Sequence, residues 1–172
     1  MSTKRKDVAI LGASGAGKTS LCAALAKVSA TKYGGNHVSF STGSKSAIEI
    51  NGPTHKYTLH DGAASKKSEL AVIVISAIEG GKSADAELVR AAKTAGCERF
   101  VAFVNKCDML GGDAEMLDLA EESVRDVLDS SGLDGQEIEV VRGSSTILFD
   151  NKNAKSQDSL VKLLEALEKI SS

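Results

Sequence analysis

Short apolar runs alternate along the chain with longer stretches in which apolar residues recur every three or four positions. The short runs that predict strands are DVAILG (7–12), AIEI (47–50), HKYTLHD (55–61), LAVIVIS (70–76), RFVAFV (99–104) and EIEVV (137–141). The periodic stretches predict helices from Lys18 to about Ser29, Ser83 to Ala95, Asp113 to about Ser130 and Ser156 to Ile170. This alternation is typical of an α/β fold in which helices cover a mostly parallel sheet.

The turn between the second and third predicted strands changes this picture at one edge of the sheet. Asn51-Gly52 is a strong hairpin signal, so one edge strand should run antiparallel to its neighbour. The segment from Ala30 to Ser46, rich in Gly, Ser and Thr, is the long loop candidate. A length of 172 residues predicts a single domain over 1–172.

Composition excludes several classes of partner. A formal net charge of -2 and a pI near 5.9 argue against a DNA-binding or anionic-membrane surface. Apolar runs are too short to span a bilayer, and we expect no signal region or lipid anchor. Cys22, Cys97 and Cys107 lack metal-ligand spacing and stand in apolar runs, which predicts reduced, packed thiols and a cytoplasmic protein.

A phosphate-binding motif follows the first predicted strand. The segment GASGAGKTS comprises Gly12, Ala13, Ser14, Gly15, Ala16, Gly17, Lys18, Thr19 and Ser20. It satisfies G-x-x-x-x-G-K-[ST] between a strand and a helix, the context in which loop N–H groups and a helix N-terminus surround phosphates. Lys18 would reach the outer phosphates, and the Thr19 hydroxyl would bind Mg²⁺. The alternative is a glycine-rich turn without a ligand.

A second motif, NKCD, ends the strand RFVAFV at the sheet edge where ligands bind in such folds. The Asp108 carboxylate could accept both the N1 and exocyclic amine N–H groups of guanine, a pair that adenine does not present. Asn105 would bridge loops, and the Lys106 stem would lie against the base. After the next predicted strand, RGSS and the following residue would supply Ser144, Ser145 and Thr146 to close over the base.

On these motifs, and on FVNKCDML followed by an acidic helix and VVRGSS, the chain resembles the GTP-binding domain of translation factors, most closely elongation factor Tu. The resemblance covers nearly the whole chain and implies a Ras-like P-loop domain. Such a domain has a mostly parallel six-stranded sheet with one antiparallel edge strand and helices on both faces, and it binds GTP and GDP with Mg²⁺. It also implies Thr19, Thr42 and Asp61 as metal-site residues. Thr42 could equally be an ordinary loop hydroxyl.

The segment after Asp61 departs from the family pattern. Ala64 stands where the family has a glycine that contacts the γ-phosphate, and Ser65 stands where it has the histidine that positions the attacking water. Ser65 cannot replace an imidazole, so we expect GTP hydrolysis to be slow or absent. Only about eight residues separate Asp61 from the strand at Leu70, too few for the family's switch helix. Its loss would leave a sheet face for a protein partner, unless neighbouring segments cover it.

Three functions remain to be compared. The first is a stand-alone guanine-nucleotide-binding domain with weak hydrolysis. The second is a non-enzymatic module that uses the altered switch surface to contact a partner. The third, a P-loop kinase, is disfavoured by NKCD and by the lack of an arginine-rich lid. Because the sequence ends just after the final predicted helix, we do not expect transfer RNA binding, which the family achieves with further domains.

Overall fold

The structure is a computed structural model that describes residues 4–13, 15–34, 47–61, 68–145 and 154–171, with the backbone alone at 47, 61 and 154–157. Its strands are β1 (Lys4–Gly12), β2 (Ala47–Asn51), β3 (His55–Asp61), β4 (Leu70–Ser76), β5 (Arg99–Asn105) and β6 (Val140–Arg142). Its α-helices are α1 (Lys18–Tyr33), α2 (Ser83–Ala95), α3 (Ala114–Ser130) and α4 (Ala154–Ser171). A 3₁₀ helix spans Cys107–Leu110.

The strands form one six-stranded sheet in the order β2-β3-β1-β4-β5-β6. Strands β2 and β3 pair antiparallel, and every other neighbouring pair is parallel. In register, Ile10 of β1 lies beside Asp61 of β3, and Ser76 of β4 lies beside Asn105 of β5. The carboxyl ends of these strands therefore meet at one sheet edge, which is where a doubly covered α/β sheet binds ligands.

Helices cover both faces of the sheet. Helices α1 and α4 pack on one face through Leu21, Leu25 and Leu163, while α2 and α3 pack on the other through Val89 and Val124. Every residue of β4 is buried, as expected for a central parallel strand with both faces covered. The predicted Ras-like P-loop fold, with its antiparallel edge pair, is confirmed.

Three predicted boundaries were wrong, and the first is the start of β1, which lies at Lys4 and not at residue 7. Helix α1 continues to Tyr33, through residues predicted as the start of the long loop at Ala30. Tertiary contact explains the extension, because the Ser29 hydroxyl donates to the Asn51 carbonyl at 2.6 Å and accepts from the Asn51 N–H at 2.9 Å. The last strand begins at Val140 and not at residue 137, because the N–H groups of residues 137 and 138 donate to the carbonyl of Asp134 in a turn.

Several predictions lie outside the described residues. They concern Ser14, Thr42, Ala64, Ser65 and Thr146, together with the missing switch helix and the uncovered face. Strand β3 ends at Asp61 and β4 begins at Leu70, as predicted.

Two further features are the state of the cysteines and the character of the helices. The three cysteines are free thiols, with Cys22 and Cys97 buried and Cys107 half-buried. Among the described helices, none combines the length and apolar character needed to cross a membrane.

Candidate functional site

The predicted phosphate loop joins the end of β1 to the start of α1, and close packing requires two of its glycines, Gly12 and Gly17. Gly17 precedes the first residue of α1 with φ 95°, in the left-handed region that favours glycine. A Cβ at Gly17 would lie 2.3 Å from Asn105 Nδ2, and one at Gly12 would lie 2.6 Å from the carbonyl oxygen of Val74. Any side chain at either position would displace the loop from the neighbouring strands.

The first turn of α1 has the electrostatic character of an anion site. Among the residues that the structure describes, no side chain caps its N-terminus by a hydrogen bond, and the first turn contains no acidic residue. The partial positive charge of the helix N-terminus therefore meets no acidic side chain within that turn. Lys18 adds a cation there, with its stem beside Gly12. Of the next two residues, Thr19 is exposed and Ser20 is half-buried.

Asn105, at the end of β5, connects three loops and is 1% exposed. Its Nδ2 donates to the Ala16 carbonyl at 2.9 Å and to the Ser145 hydroxyl at 3.1 Å. Its Oδ1 accepts from the Ser145 N–H at 3.0 Å and from the Lys106 N–H at 2.9 Å. The predicted phosphate loop and the two predicted guanine loops therefore share one buried side chain.

Lys106 makes a second bridge to the phosphate loop, which the sequence did not reveal. Its Nζ donates to the Gly15 carbonyl at 2.7 Å. Its backbone has φ 62°, the one positive value among the described residues other than glycine. Such a conformation costs about 1–3 kcal/mol and tends to occur at functional sites, where surrounding contacts hold it.

The 3₁₀ helix that follows presents Asp108. Its side chain is exposed, and among the described residues no donor hydrogen-bonds to its carboxylate. Two acceptor oxygens are thus open at the sheet edge that carries the phosphate loop, which fits the predicted pairing with two guanine donors.

The turn after β6 packs against the NKCD loop through backbone hydrogen bonds. The Gly143 N–H donates to the Val104 carbonyl at 2.9 Å, and the Gly143 carbonyl accepts from the Cys107 N–H at 3.2 Å. Ser144 and Ser145 are both buried. Burial also raises the pKa of the Cys107 thiol, which keeps it protonated near neutral pH.

Charged residues of α3 hold the end of β6. Arg142 Nε donates to Glu121 Oε2 at 2.8 Å, and its Nη2 donates to Asp118 Oδ1 at 2.7 Å and to Glu121. Arg125 Nη2 donates to the other oxygen of Glu121 at 2.9 Å. These pairs were missed from the sequence, where an acidic helix and a lone arginine about twenty residues later carry no sign of contact.

Of the residues predicted to hold Mg²⁺, Thr19 is fully described, Asp61 is described by its backbone alone, and Thr42 lies outside the described residues. Thr19 lies in the first turn of α1, and Asp61 lies beside Ile10, two residues before the phosphate loop. Within the part of the chain that the structure describes, no cluster of three or more His, Cys, Asp or Glu could hold a metal. A threonine hydroxyl and an aspartate carboxylate are hard oxygen donors of the kind that Mg²⁺ binds, usually together with phosphates and waters.

Comparison with known families identifies the chain. The model of the elongation factor Tu GTP-binding domain matches residues 36–171, well over half of the sequence. The match begins after the phosphate loop at 12–20, so the motif and the family match are separate observations. Domains of this family bind guanine nucleotides. The chain belongs to the elongation factor Tu GTP-binding domain family.

Proposed function

We propose that this chain binds GTP and GDP with Mg²⁺ as a single guanine-nucleotide-binding domain. The observation that carries the proposal is the direct contact between the two motifs through Asn105 and Lys106. Each motif alone is short, and NKCD alone could be a polar turn. Hydrogen bonds from both residues to carbonyls of the phosphate loop make the motifs parts of one site.

Different residues of the site suit the phosphates and the base of the nucleotide. The uncapped N-terminus of α1 and the Lys18 ammonium suit the phosphates. The open Asp108 carboxylate suits the two guanine donors, and the turn carrying Ser144 and Ser145 encloses the base.

Thr19 and Asp61, with Thr42, are the residues that would hold Mg²⁺. When bound, Mg²⁺ would neutralise part of the phosphate charge. Asp61 supports this role by its place beside β1 at the phosphate-loop edge.

We further propose that hydrolysis of GTP is slow or absent. Ala64 and Ser65 replace the glycine and the histidine of the family pattern that follows Asp61. A serine hydroxyl cannot act as the imidazole that orients an attacking water. Binding residues and hydrolytic residues are separate in sequence, so nucleotide affinity can persist without turnover.

The same replacements favour a second candidate, a non-enzymatic module whose switch surface contacts a protein partner according to the nucleotide bound. Transfer RNA binding is not part of either proposal. Free thiols at all three cysteines support a cytoplasmic location for both.

Two measurements test the proposed function. Calorimetric titration should show binding of GDP and GTP, and a hundredfold excess of ADP should not compete; equal competition by ADP would reject guanine specificity. Single-turnover phosphate release from bound GTP then separates the two candidates. A slow but measurable rate that Lys18→Ala abolishes would support the guanine-nucleotide-binding domain with weak hydrolysis, and stable bound GTP would support the non-enzymatic module. A rate close to that of a functional translation GTPase would reject the proposal of slow hydrolysis.

A further inference from the structure

We propose that Arg142, held by Glu121 and Asp118 of α3, positions the two loops that surround guanine and thereby sets the preference for guanine over other bases. The inference rests on the proposed function, because it assigns a positioning residue to the same site. Arg142 itself is not proposed to touch the nucleotide.

The first step is that two carboxylates of α3 hold the guanidinium of Arg142. Its Nε and Nη2 both donate to Glu121, and Nη2 also reaches Asp118 at 2.7 Å. The arginine side chain is 34% exposed and that of Glu121 is 20% exposed. An arginine fork on a carboxylate at this depth restrains direction as well as distance, unlike a fully solvated pair.

The second step is that the partners of Arg142 are themselves restrained. Arg125 Nη2 holds the second oxygen of Glu121 at 2.9 Å, while its Nη1 donates to the carbonyls of Gly135 and Ile138. Burial alone would lower the pKa of Arg142, but its bonds to Asp118 and Glu121 outweigh burial and raise it. The guanidinium therefore remains charged, and α3 provides a rigid support for the end of β6.

The third step leads from Arg142 to the guanine side. Gly143 follows it directly and bonds to both Val104 and Cys107 of the neighbouring strand and loop. Two residues further on, Ser145 makes two hydrogen bonds with Asn105. A displacement of Arg142 would thus be passed to Cys107, the neighbour of Asp108, and to Asn105. Any part of that displacement that reaches the phosphate loop through Asn105 and Ala16 would weaken GDP and IDP binding alike, so it would not change the ratio of their affinities.

This arrangement predicts a selective defect. Arg142→Met keeps an apolar stem of similar length but removes the charge and the fork. GDP dissociation, followed with a fluorescent GDP analogue, should accelerate about tenfold. Inosine diphosphate lacks the exocyclic amine that Asp108 would accept from, so its affinity should change less. The ratio of GDP to IDP affinity should fall by about threefold.

Matched variants separate positioning from general stability. Arg90→Met removes an exposed arginine that donates to the Ser130 carbonyl at the far end of α3, at 2.7 Å, and should leave both the dissociation rate and the ratio unchanged. Arg142→Lys keeps the charge with one donor group and should fall between wild type and Arg142→Met.

Each outcome decides the inference. An unchanged GDP dissociation rate in Arg142→Met would overturn it, and so would equal losses for GDP and IDP, which indicate a structural role only. If Arg142→Met does not fold, Glu121→Gln removes the partner charge with little change of shape and must show the same fall in ratio. Failure of the wild type to bind GDP would overturn the proposed function and this inference together, whereas wild-type binding with a normal variant overturns the inference alone.

Discussion

The side-chain amide of Asn105 donates a hydrogen bond to the backbone carbonyl of Ala16 at 2.9 Å, across a separation of 89 residues in the chain. This bond joins the end of β5 to the loop between β1 and α1. Because Gly17 leaves no room for a side chain beside Asn105 Nδ2, the contact is also a packing requirement. The relative position of the two nucleotide motifs thus depends on this buried amide together with the bond from Lys106 to Gly15.

Replacing Asn105 should therefore damage stability and binding together. Asn105→Ala leaves the Ala16 carbonyl and the N–H groups of Lys106 and Ser145 without their partner. We expect a loss of about 2–4 kcal/mol in the free energy of unfolding and a large loss of GDP affinity. Urea denaturation and calorimetry measure the two effects.

A matched control is Asn51→Ala, which removes an exposed amide bonded to the Gly34 carbonyl at 2.7 Å. It should reduce stability by about 1 kcal/mol or less and leave GDP affinity unchanged. Normal GDP affinity in Asn105→Ala would show that the two loops do not need this link.

Phosphate affinity should depend more on Lys18 than on Thr19. Lys18→Ala removes a cation whose stem lies beside Gly12, and we expect GDP binding to weaken by about 2 kcal/mol, or about thirtyfold. Thr19→Ala removes a hydroxyl that water can partly replace around Mg²⁺, so its effect should be smaller. Calorimetry of both variants, beside Lys162→Ala on the exposed face of α4, gives the comparison. Wild-type binding in both would place the nucleotide elsewhere.

Hydrolysis should not return when histidine is restored. Ser65→His supplies an imidazole, but the predicted loss of the family's switch helix would leave that side chain without the support that orients it, and misplacement by about 1 Å already removes much of a catalytic gain. Single-turnover phosphate release should stay as slow as in the wild type. Fast turnover that disappears in Lys18→Ala would instead show that this segment supports catalysis.

A polar cluster far from the nucleotide edge should make stability depend on pH. Glu168 of α4 accepts hydrogen bonds from Thr54, from Tyr57 at 2.6 Å and from His55 at 2.8 Å. Burial favours the neutral acid, but these bonds outweigh it and hold the pKa of Glu168 below its usual value. A carboxyl whose pKa is lower in the folded state contributes stability above its unfolded pKa, about 4.3, and loses it as the pH falls.

We therefore expect the wild type to lose stability between about pH 6 and pH 3 more steeply than Glu168→Gln. At neutral pH the variant should be less stable by about 1–3 kcal/mol. Glu165→Gln, on an exposed position of the same helix, is the control and should keep the wild-type slope. Parallel pH profiles for wild type and Glu168→Gln would contradict the assignment.

The fold followed from the sequence because local and long-range signals agreed. The continuous apolar run at 70–76 predicted a strand buried on both faces, and Asn51-Gly52 predicted the antiparallel edge pair; the structure contains both. The end of α1 was misjudged because the Gly, Ser and Thr residues of 30–46 suggested an earlier loop, and the supporting bond between Ser29 and Asn51 joins residues far apart in the sequence.

The residues of the candidate site could be predicted only where they belong to a short sequence motif. The Gly12–Thr19 loop and NKCD carry such signals, and the role of Asn105 as a bridge between loops agrees with its hydrogen bonds. Lys106 donates to the Gly15 carbonyl, and Arg142 donates to Glu121. Both bonds join residues that are far apart in the sequence. Nothing in their spacing distinguishes them from a solvated surface.

Guanine recognition by Asp108 is the central claim, and Asp108→Asn tests it most directly. The amide cannot accept both guanine donors, whereas it can pair with xanthine, which presents a carbonyl in place of the amine. We predict that calorimetry will show GDP affinity falling by at least about a hundredfold and xanthosine diphosphate becoming the preferred ligand, while Asp126→Asn on exposed α3 behaves as wild type. Undiminished GDP affinity in Asp108→Asn would contradict the account.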